Sequence, residues 1–492
     1  MPKRSEFSSA DFLARLSVIV GARNLLVRAE DFAAALTDWR GRYTGKALAL
    51  VRPGSAAEAQ AVVRACLAAG CPMQPQGGNT SLVGGATPDA SGRTLLIQMA
   101  RLDRIRRVDI VNNAMTVEAG CTLARAQAAA SEKGRLFPLS LAAEGSCQIG
   151  GNLAVNAGGV QVLRYGAMRD LTLGLEAVLP NGELFEGLSA LRKNNVGYDL
   201  RHLLIGSEGT LGLITAATLK LFPPPEARAT LMLGVASPAA AIQLLGRAQS
   251  AFDAQLTAFE LICPLSLDLL RRHFPQLAFP VLETPWHALC EFSGNRDDGL
   301  LTKAENFAAA VIAKNLARDA LLAQNETQRG AFWRLREHIS EAQKREGVSI
   351  KHDIALPISR IDEFLTRVEP LLAAAFPGVR HTAFGHLGDG NLHFNLSMRE
   401  PEANARLLAR APEANRVVYD LVAALGGSIS AEHGIGRLKR PLLSRYYAPA
   451  RLSALRAIKQ SLDPGGLMNP GVLIPEDDNA PLIPEGKRDG LR

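Results

Sequence analysis

The chain lacks any Cys-x-x-Cys pair. Its six cysteines (Cys66, Cys71, Cys121, Cys147, Cys263 and Cys290) are scattered. That spacing argues against a disulfide framework or a thiolate zinc site and for a reducing compartment. The expected location is a bacterial cytoplasm or, in a eukaryote, the mitochondrial matrix. Aromatics are scarce at 5%, and the net charge of +7 is spread without a dense basic block, so no nucleic-acid partner is expected. No apolar run approaches the length of a membrane span. The opening stretch is interrupted by Arg15 and reads as an amphipathic helix, not a signal peptide. Two nucleotide fingerprints are also missing: no GxGxxG follows a strand, and there is no GxxxxGK[ST]. A Rossmann NAD site and a P-loop are therefore unsupported.

What remains is ordinary globular composition over 492 residues, long enough for two or three domains. The charge reads first as that of a mildly basic soluble protein, ahead of attraction for an anionic substrate or acidic partner. Residues 55–70 form a capped helix, with Ser55 and Glu58 at capping-box spacing and Gly70 as the stop. Residues 94–99 read as a buried strand, 106–120 as two strands around Asn112-Asn113, and 122–134 as a helix. Residues 171–186 form a hairpin turning at Asn181-Gly182. "LFPPPEA" at 221–227 is the linker candidate. Beyond it, residues 306–324 and 402–427 read as helices, and 452–475 as a final helix leading into a Pro/Gly loop. The pattern implies an α+β chain: a first domain over 1–223 with a helical lead-in to about 40, and a second over 224–450. A terminal segment over 451–475 and a loose tail over 476–492 complete it.

Three loops carry glycines beside small hydroxyl or amide residues: "PQGGNTSLVGG" (75–85), "AAEGSCQIGGNLAVNAGG" (142–159) and "GSEGTLGLIT" (206–215). Glycine lets backbone N–H groups converge on an anion and lets the anion approach. Three such loops within 140 residues suit a pyrophosphate held without lysine.

These loops, with "LDPGGLMNPG" near the end, resemble the FAD-binding domain of vanillyl-alcohol-oxidase (PCMH) type flavoproteins. Within that family the motifs resemble the D-2-hydroxyacid dehydrogenase branch, most closely its D-2-hydroxyglutarate dehydrogenases. The resemblance spans residues 40–475. It implies a two-subdomain FAD domain, a substrate-binding cap with an antiparallel sheet, and a C-terminal segment returning to the FAD domain. It implies pyrophosphate contacts from Gly77, Gly78, Asn79, Thr80 and Ser81, with Pro75 and Gly84 flanking. Glu144, Gly145, Ser146, Ile149, Gly150, Asn152, Ala157 and Gly158 would line the cofactor from the second loop. Ile214 would sit near the adenine-ribose end, and Asn469 would approach the flavin ring. Asn79 stands where covalent relatives carry His, so the FAD is expected to be non-covalent; Cys147 is the one nearby nucleophile.

An alcohol gives up hydride readily once its hydroxyl proton is removed, so a base is needed. In "AFGHLGDGNLHFN" (383–395), an Asp389-Gly390 two-residue turn would set His386 opposite His393, close enough to share a metal. In "ISAEHGIG" (429–436), Glu432 supplies a third ligand, leaving an open, catalytic position. His433 is then the base, brought in by a bend at Gly434. Zn2+ is the expected ion, though two histidines and a carboxylate also suit iron or manganese. The resemblance assigns the same four roles.

Arg336 and Ser340 lie one helical turn apart, and Lys351 follows on a strand. Alone these read as a solvated helix and an edge lysine. The resemblance makes them, with Asn395, the holders of substrate carboxylates. A second cationic anchor fits D-2-hydroxyglutarate better than lactate. Electrons would pass to a separate acceptor, such as an electron-transfer flavoprotein or quinone-linked carrier, and a homodimer is one assembly open to the chain. The rivals are a D-lactate or glycolate dehydrogenase of the same branch, a metal-dependent hydrolase, and a non-catalytic flavin-binding subunit.

Overall fold

Local sequence signals set many of the element boundaries. Ser55 Oγ accepts from Glu58 N at 3.1 Å, the helix Ala56–Ala69 follows, and Gly70 ends it at φ +63°. The capping box is not reciprocal: Glu58 Oε2 takes the Gly54 N–H at 2.7 Å instead. The Asn181-Gly182 signal yields a hairpin, Thr172–Val178 to Leu184–Gly187, with Gly182 at φ +82°. The computed structural model describes residues 8–278, 282, 284–296 and 298–475; the tail expected over 476–492 lies outside them.

Three sheets organise the described chain. A four-stranded sheet orders Leu25–Leu26, Ala49–Val51, Leu95–Gln98 and Met73–Gln76, with parallel pairing among the last three. A five-stranded antiparallel sheet holds Ile105–Asp109, Ala114–Glu118, Leu213–Lys220, Thr172–Val178 and Leu184–Gly187. One apolar core joins both, with Val62, Leu95, Ile97, Val117 and Leu175 fully buried. The third sheet is antiparallel with seven strands, in the order Asp319–Leu322, Ala227–Val235, Trp286–Gly294, Leu256–Ile262, Arg380–Gly385, Asn391–Ser397 and Ile350–Ala355. Its core is separate and built on Leu231, Phe292, Ile354, Phe364 and Phe394. After the helix Pro449–Leu462 the chain returns to the first sheet: Met73 N bonds Leu467 O and Asn469 N bonds Met73 O, each at 2.7 Å. Among the described residues no helix is long and apolar enough to cross a membrane.

Two helices expected from the sequence divide. The helix expected over 306–324 ends at Ala313, and Asp319–Leu322 is an edge strand. Asn315 at φ +58° breaks the helix, and the strand pairs with 231–234. The run 402–427 becomes Pro401–Ala409 and Ala411–Ala424, because Pro412 cannot donate into a continuous helix.

Candidate active site

The three glycine loops line one cavity of ≈ 280 Å³, and Glu432 and His433 line it too. Gly78 is packed so tightly that an added Cβ would lie 1.9 Å from Ser146 O, so the first loop rests directly on the second. A Cβ at Gly150 would meet that of Ala119 at 2.8 Å. Asn79 takes φ +54° and donates its amide to Ala34 O and Thr37 O, which spends its donors on the backbone behind the loop. Asn79 Oδ1 and Gln148 Oε1, both on cavity-lining residues, are buried without a partner. Orphaned polar atoms and close backbone in a largely apolar cleft fit a dinucleotide cofactor.

Of the cofactor-binding residues carried over by resemblance, Gly84, Glu144, Gly145, Ser146, Ile149 and Asn469 are not in the cavity wall; the others are. Ile149 is fully buried behind it, and Glu144 Oε1 accepts from Leu141 N. Asn469, at φ +47°, donates to Gly85 O and Glu208 O and so ties the C-terminal segment to two of the loops. Glu208 was not singled out from the sequence, although it sits in the third loop. Its carboxylate lines the cavity and accepts from Ile435 N at 2.8 Å and Gly436 N at 2.7 Å, docking the "EHGIG" segment against the loops. Burial pushes that carboxyl up, against the two N–H groups.

The histidine hairpin forms with a different turn. Phe384, not His386, pairs with His393, and residues 386–390 form the loop. A type I′ turn needs positive φ at both central residues. Gly390 has φ +84°, but Asp389 is not left-handed. Instead Asp389 N and Gly390 N both bond His386 O, a helical turn, and Asp389 Oδ1 accepts from Asn391 N at 3.0 Å. The two imidazoles still meet, with centroids 5.6 Å apart.

Asp353 draws the second segment in. Its Oδ2 accepts the backbone N–H groups of Glu432 (3.1 Å) and His433 (2.9 Å), and Oδ1 accepts from Asn391 Nδ2 at 3.0 Å. Gly434 at φ +80° makes the bend. Glu432 Oε1 then lies 3.6 Å from His393 Nε2 and 3.6 Å from His433 Nε2. Asp353, His393, Glu432 and His433 bring four donor atoms within 4.8 Å of one another, with His386 alongside His393. Behind each imidazole stands a carboxylate: Glu260 Oε1 at 2.6 Å from His386 Nδ1, and Asp353 at 4.0 Å from His393 Nδ1 and 3.3 Å from His433 Nδ1. The Glu260 carboxylate hydrogen-bonded to Nδ1 orients His386 Nε2 outward, the arrangement that supports metal-ligating histidines. The donor set therefore fits a divalent cation.

Electrostatics separate these groups. Burial opposes charge on Glu260, yet Arg336 and His386 outweigh it and hold the carboxyl at about 2. Burial also opposes charge on His386, and Glu260 lifts it to about 9. His393, fully enclosed, is pushed well down by burial. Asp353 is held below the usual carboxylate range: burial works against its charge, but His433 and Lys439 prevail. Neither Glu260 nor Asp353 was picked from the sequence. The signal available was a lone carboxylate inside each of two strands, the apolar "TAFELI" and the mixed "IKHDIA".

The expected carboxylate holders are placed unequally. Arg336 is buried and donates Nε to Glu260, with its guanidinium over Phe384. Ser340 is exposed. Asn395 is buried and donates to Gln343 Oε1 at 2.8 Å. Lys351 is the cross-strand neighbour of Asn395. Burial, with Arg40 and Arg42, brings its pKa down to about 8.

Residues 224–473 match the FAD-linked oxidase C-terminal domain, and residues 47–187 match an FAD-binding domain. A D-2-hydroxyglutarate dehydrogenase of Xanthomonas citri pv. viticola is 38% identical over 451 residues, covering 91% of this chain and 94% of that protein. The mitochondrial D-2-hydroxyglutarate dehydrogenase of Bos taurus is 37% identical, covering 95% and 84%. A putative mitochondrial D-lactate dehydrogenase of Schizosaccharomyces pombe is 32% identical, covering 89% and 84%. Among solved structures, p-cresol methylhydroxylase with bound substrate superposes with a TM-score of 0.74 at 14% identity, covering 95% of this chain and 97% of that one. That likeness speaks for the fold alone.

Proposed function

The chain belongs to the FAD-linked oxidases, of the vanillyl-alcohol-oxidase type fold and alongside D-2-hydroxyglutarate dehydrogenases, and from that premise we propose that it oxidises D-2-hydroxyglutarate to the 2-oxoacid. The observation that carries the reading is the shared wall: the cavity of the glycine loops is also lined by Glu432 and His433. A cofactor held by the loops and a substrate held by the cap would meet there.

The chain's own groups supply the rest. His433 takes the hydroxyl proton at Nε2, because Asp353 occupies its Nδ1 side and both adjacent backbone N–H groups. His386, His393 and Glu432 would hold a divalent cation, Zn2+ by preference, which would supply positive charge for the substrate hydroxyl oxygen. The loops around Gly77, Gly78 and Gly150 hold FAD non-covalently, which supplies the acceptor for hydride from the α-carbon. Glu260 fixes both Arg336 and His386, so one buried carboxylate sets a substrate-holding group and a metal-holding group together. Arg336, Ser340, Lys351 and Asn395 orient the carboxylates. Electrons leave to a separate carrier, an electron-transfer flavoprotein or quinone-linked protein.

The test is a substrate panel on the purified protein with a dye acceptor, before and after chelation. The expected result is a yellow protein with highest kcat/KM on D-2-hydroxyglutarate and a loss of turnover with chelator that added metal restores. A colourless protein, or higher kcat/KM on D-lactate, would overturn the assignment.

A further inference from the structure

The segment that carries His433 is held from two sides by two buried carboxylates. Residues 429–438, "ISAEHGIGRL", follow the cap helix Ala411–Ala424. On the cap side, Asp353 Oδ2 takes the N–H groups of Glu432 and His433. From Ile435 to Leu438 the backbone donors turn to the cofactor domain. Glu208 Oε1 takes Ile435 N at 2.8 Å, and Oε2 takes Gly436 N at 2.7 Å. Val83 O takes Arg437 N (3.0 Å) and Leu438 N (3.2 Å). The Arg437 side chain donates to Thr87 O and Gln74 Oε1, each at 3.0 Å. Gly434, at φ +80°, is the pivot between the two holds, and a Cβ there would lie 3.0 Å from Glu208 Oε1. The Glu208 carboxylate therefore sits directly against the bend that aims His433.

Glu208 is itself fixed by its loop. Its φ of +51° is left-handed, a conformation that a residue with a side chain keeps only where its surroundings hold it. Its N–H donates to Ala154 O at 2.7 Å, and its carbonyl accepts from Asn469 Nδ2 at 2.6 Å. The carboxylate is buried and also lines the cofactor cavity. Taking a carboxylate out of water is unfavourable, and a backbone carbonyl such as that of Val83 suffices to hold a loop. What the charge adds is two short, charge-assisted bonds in a fixed direction.

We propose that Glu208 is the positioning residue for His433, holding the imidazole in register with the cofactor domain. The assignment rests on the reading of His433 as the base and deepens it. The substrate α-carbon must face the cofactor while its hydroxyl meets His433, so the base needs a fixed place relative to both walls. Asp353 registers it to the strands that carry the metal-binding histidines. Glu208 registers it to the glycine loops.

The test compares Glu208→Gln and Glu208→Asp with the parent protein, Glu208→Gln also in a His433→Ala background, and follows amide hydrogen exchange across 432–438 by mass spectrometry. Gln keeps the size of the side chain but sets an NH2 group against one of the two N–H donors. In Glu208→Gln, exchange across 432–438 should speed up by about tenfold or more, while the strands Leu256–Ile262 and Asn391–Ser397 keep their protection. On D-2-hydroxyglutarate kcat should fall about ten- to a hundredfold, with KM within about twofold and flavin absorbance and metal content unchanged. In the His433→Ala background the same substitution should cost no further rate, because it acts through the imidazole. Glu208→Asp, which keeps the charge on a shorter arm, should recover part of kcat. Unchanged exchange, unchanged kcat, or a full additional loss in the His433→Ala background would overturn the assignment. Loss of FAD would overturn it too, since the carboxylate would then serve the cofactor. If the parent oxidises no hydroxyacid, or His433→Ala keeps its turnover, the proposed function fails and exchange alone decides. Faster exchange at 432–438 then upholds the hold on the segment, and unchanged exchange sinks it. If Glu208→Gln does not fold, Glu208→Asp decides by the same criteria.

Discussion

The two walls of the cleft work by opposite chemistry. The cofactor wall is built from neutral backbone, with glycines at 77, 78 and 150 letting the chain come close, and small amides between them. The cap wall presents charge, Glu432 and His433 at the cavity, backed by Glu260, Asp353, His386 and His393. Backbone donors hold an anion without titrating. Side chains that push one another's proton affinities apart are suited to acid–base work. Glu208 joins the two, a carboxylate from the glycine loops spent on backbone N–H groups of the cap's "EHGIG" segment.

The largest expected effect falls on the charged wall. His433→Ala removes the proposed base while sparing the glycine loops, and kcat should fall by about 10²–10⁴-fold. The flavin absorbance of the purified protein should be unchanged. Turnover within about tenfold of the parent would place the base elsewhere and remove the functional asymmetry between the walls.

The complementary substitution strikes the neutral wall. Gly78→Ala would set a Cβ 1.9 Å from Ser146 O, so one loop must shift off the other. Overpacking of this kind costs about 1–3 kcal/mol, and FAD affinity should weaken by about ten- to a hundredfold. Metal content by elemental analysis should stay at the parent level, since the donor groups belong to the other wall. Loss of metal together with FAD would show that the two sites assemble as one unit.

The same contrast governs what the sequence made legible. The cradle could be read because its chemistry is local: consecutive residues such as Gly77-Gly78-Asn79-Thr80 carry both the turn and the donors. The histidines could be found because they flank a turn, yet their register was misread, since Asp389 bonds within a helical turn instead of adopting positive φ. Glu260 and Asp353 escaped notice because their partners lie 126 and 80 residues away, at His386 and His433. A carboxylate inside a strand signals that a partner exists without saying which.

The smallest predicted effect sharpens the contrast away from the site. His287 lies in a central strand of the cap sheet, 1% exposed, with Nδ1 unpartnered. Burial, aided by Arg271, lowers its pKa to about 4, against about 6.5 for the unfolded chain. The folded state therefore holds this imidazole neutral where the unfolded state would protonate it. Its contribution to stability is fully present above about pH 6.5 and is lost as pH falls toward 4. At pH 5 the loss should be about 2 kcal/mol. Replacing His287 with Leu removes both the titration and the unpartnered nitrogen. In calorimetric melts at pH 7.5 and pH 5, the variant should lose less melting temperature on acidification than the parent, by about 2–4 °C per kcal/mol recovered. Because His287 belongs to the cap, the cap transition is the one that should move. An equal acid shift in both proteins would mean that the cap's sensitivity to pH resides wholly in other groups.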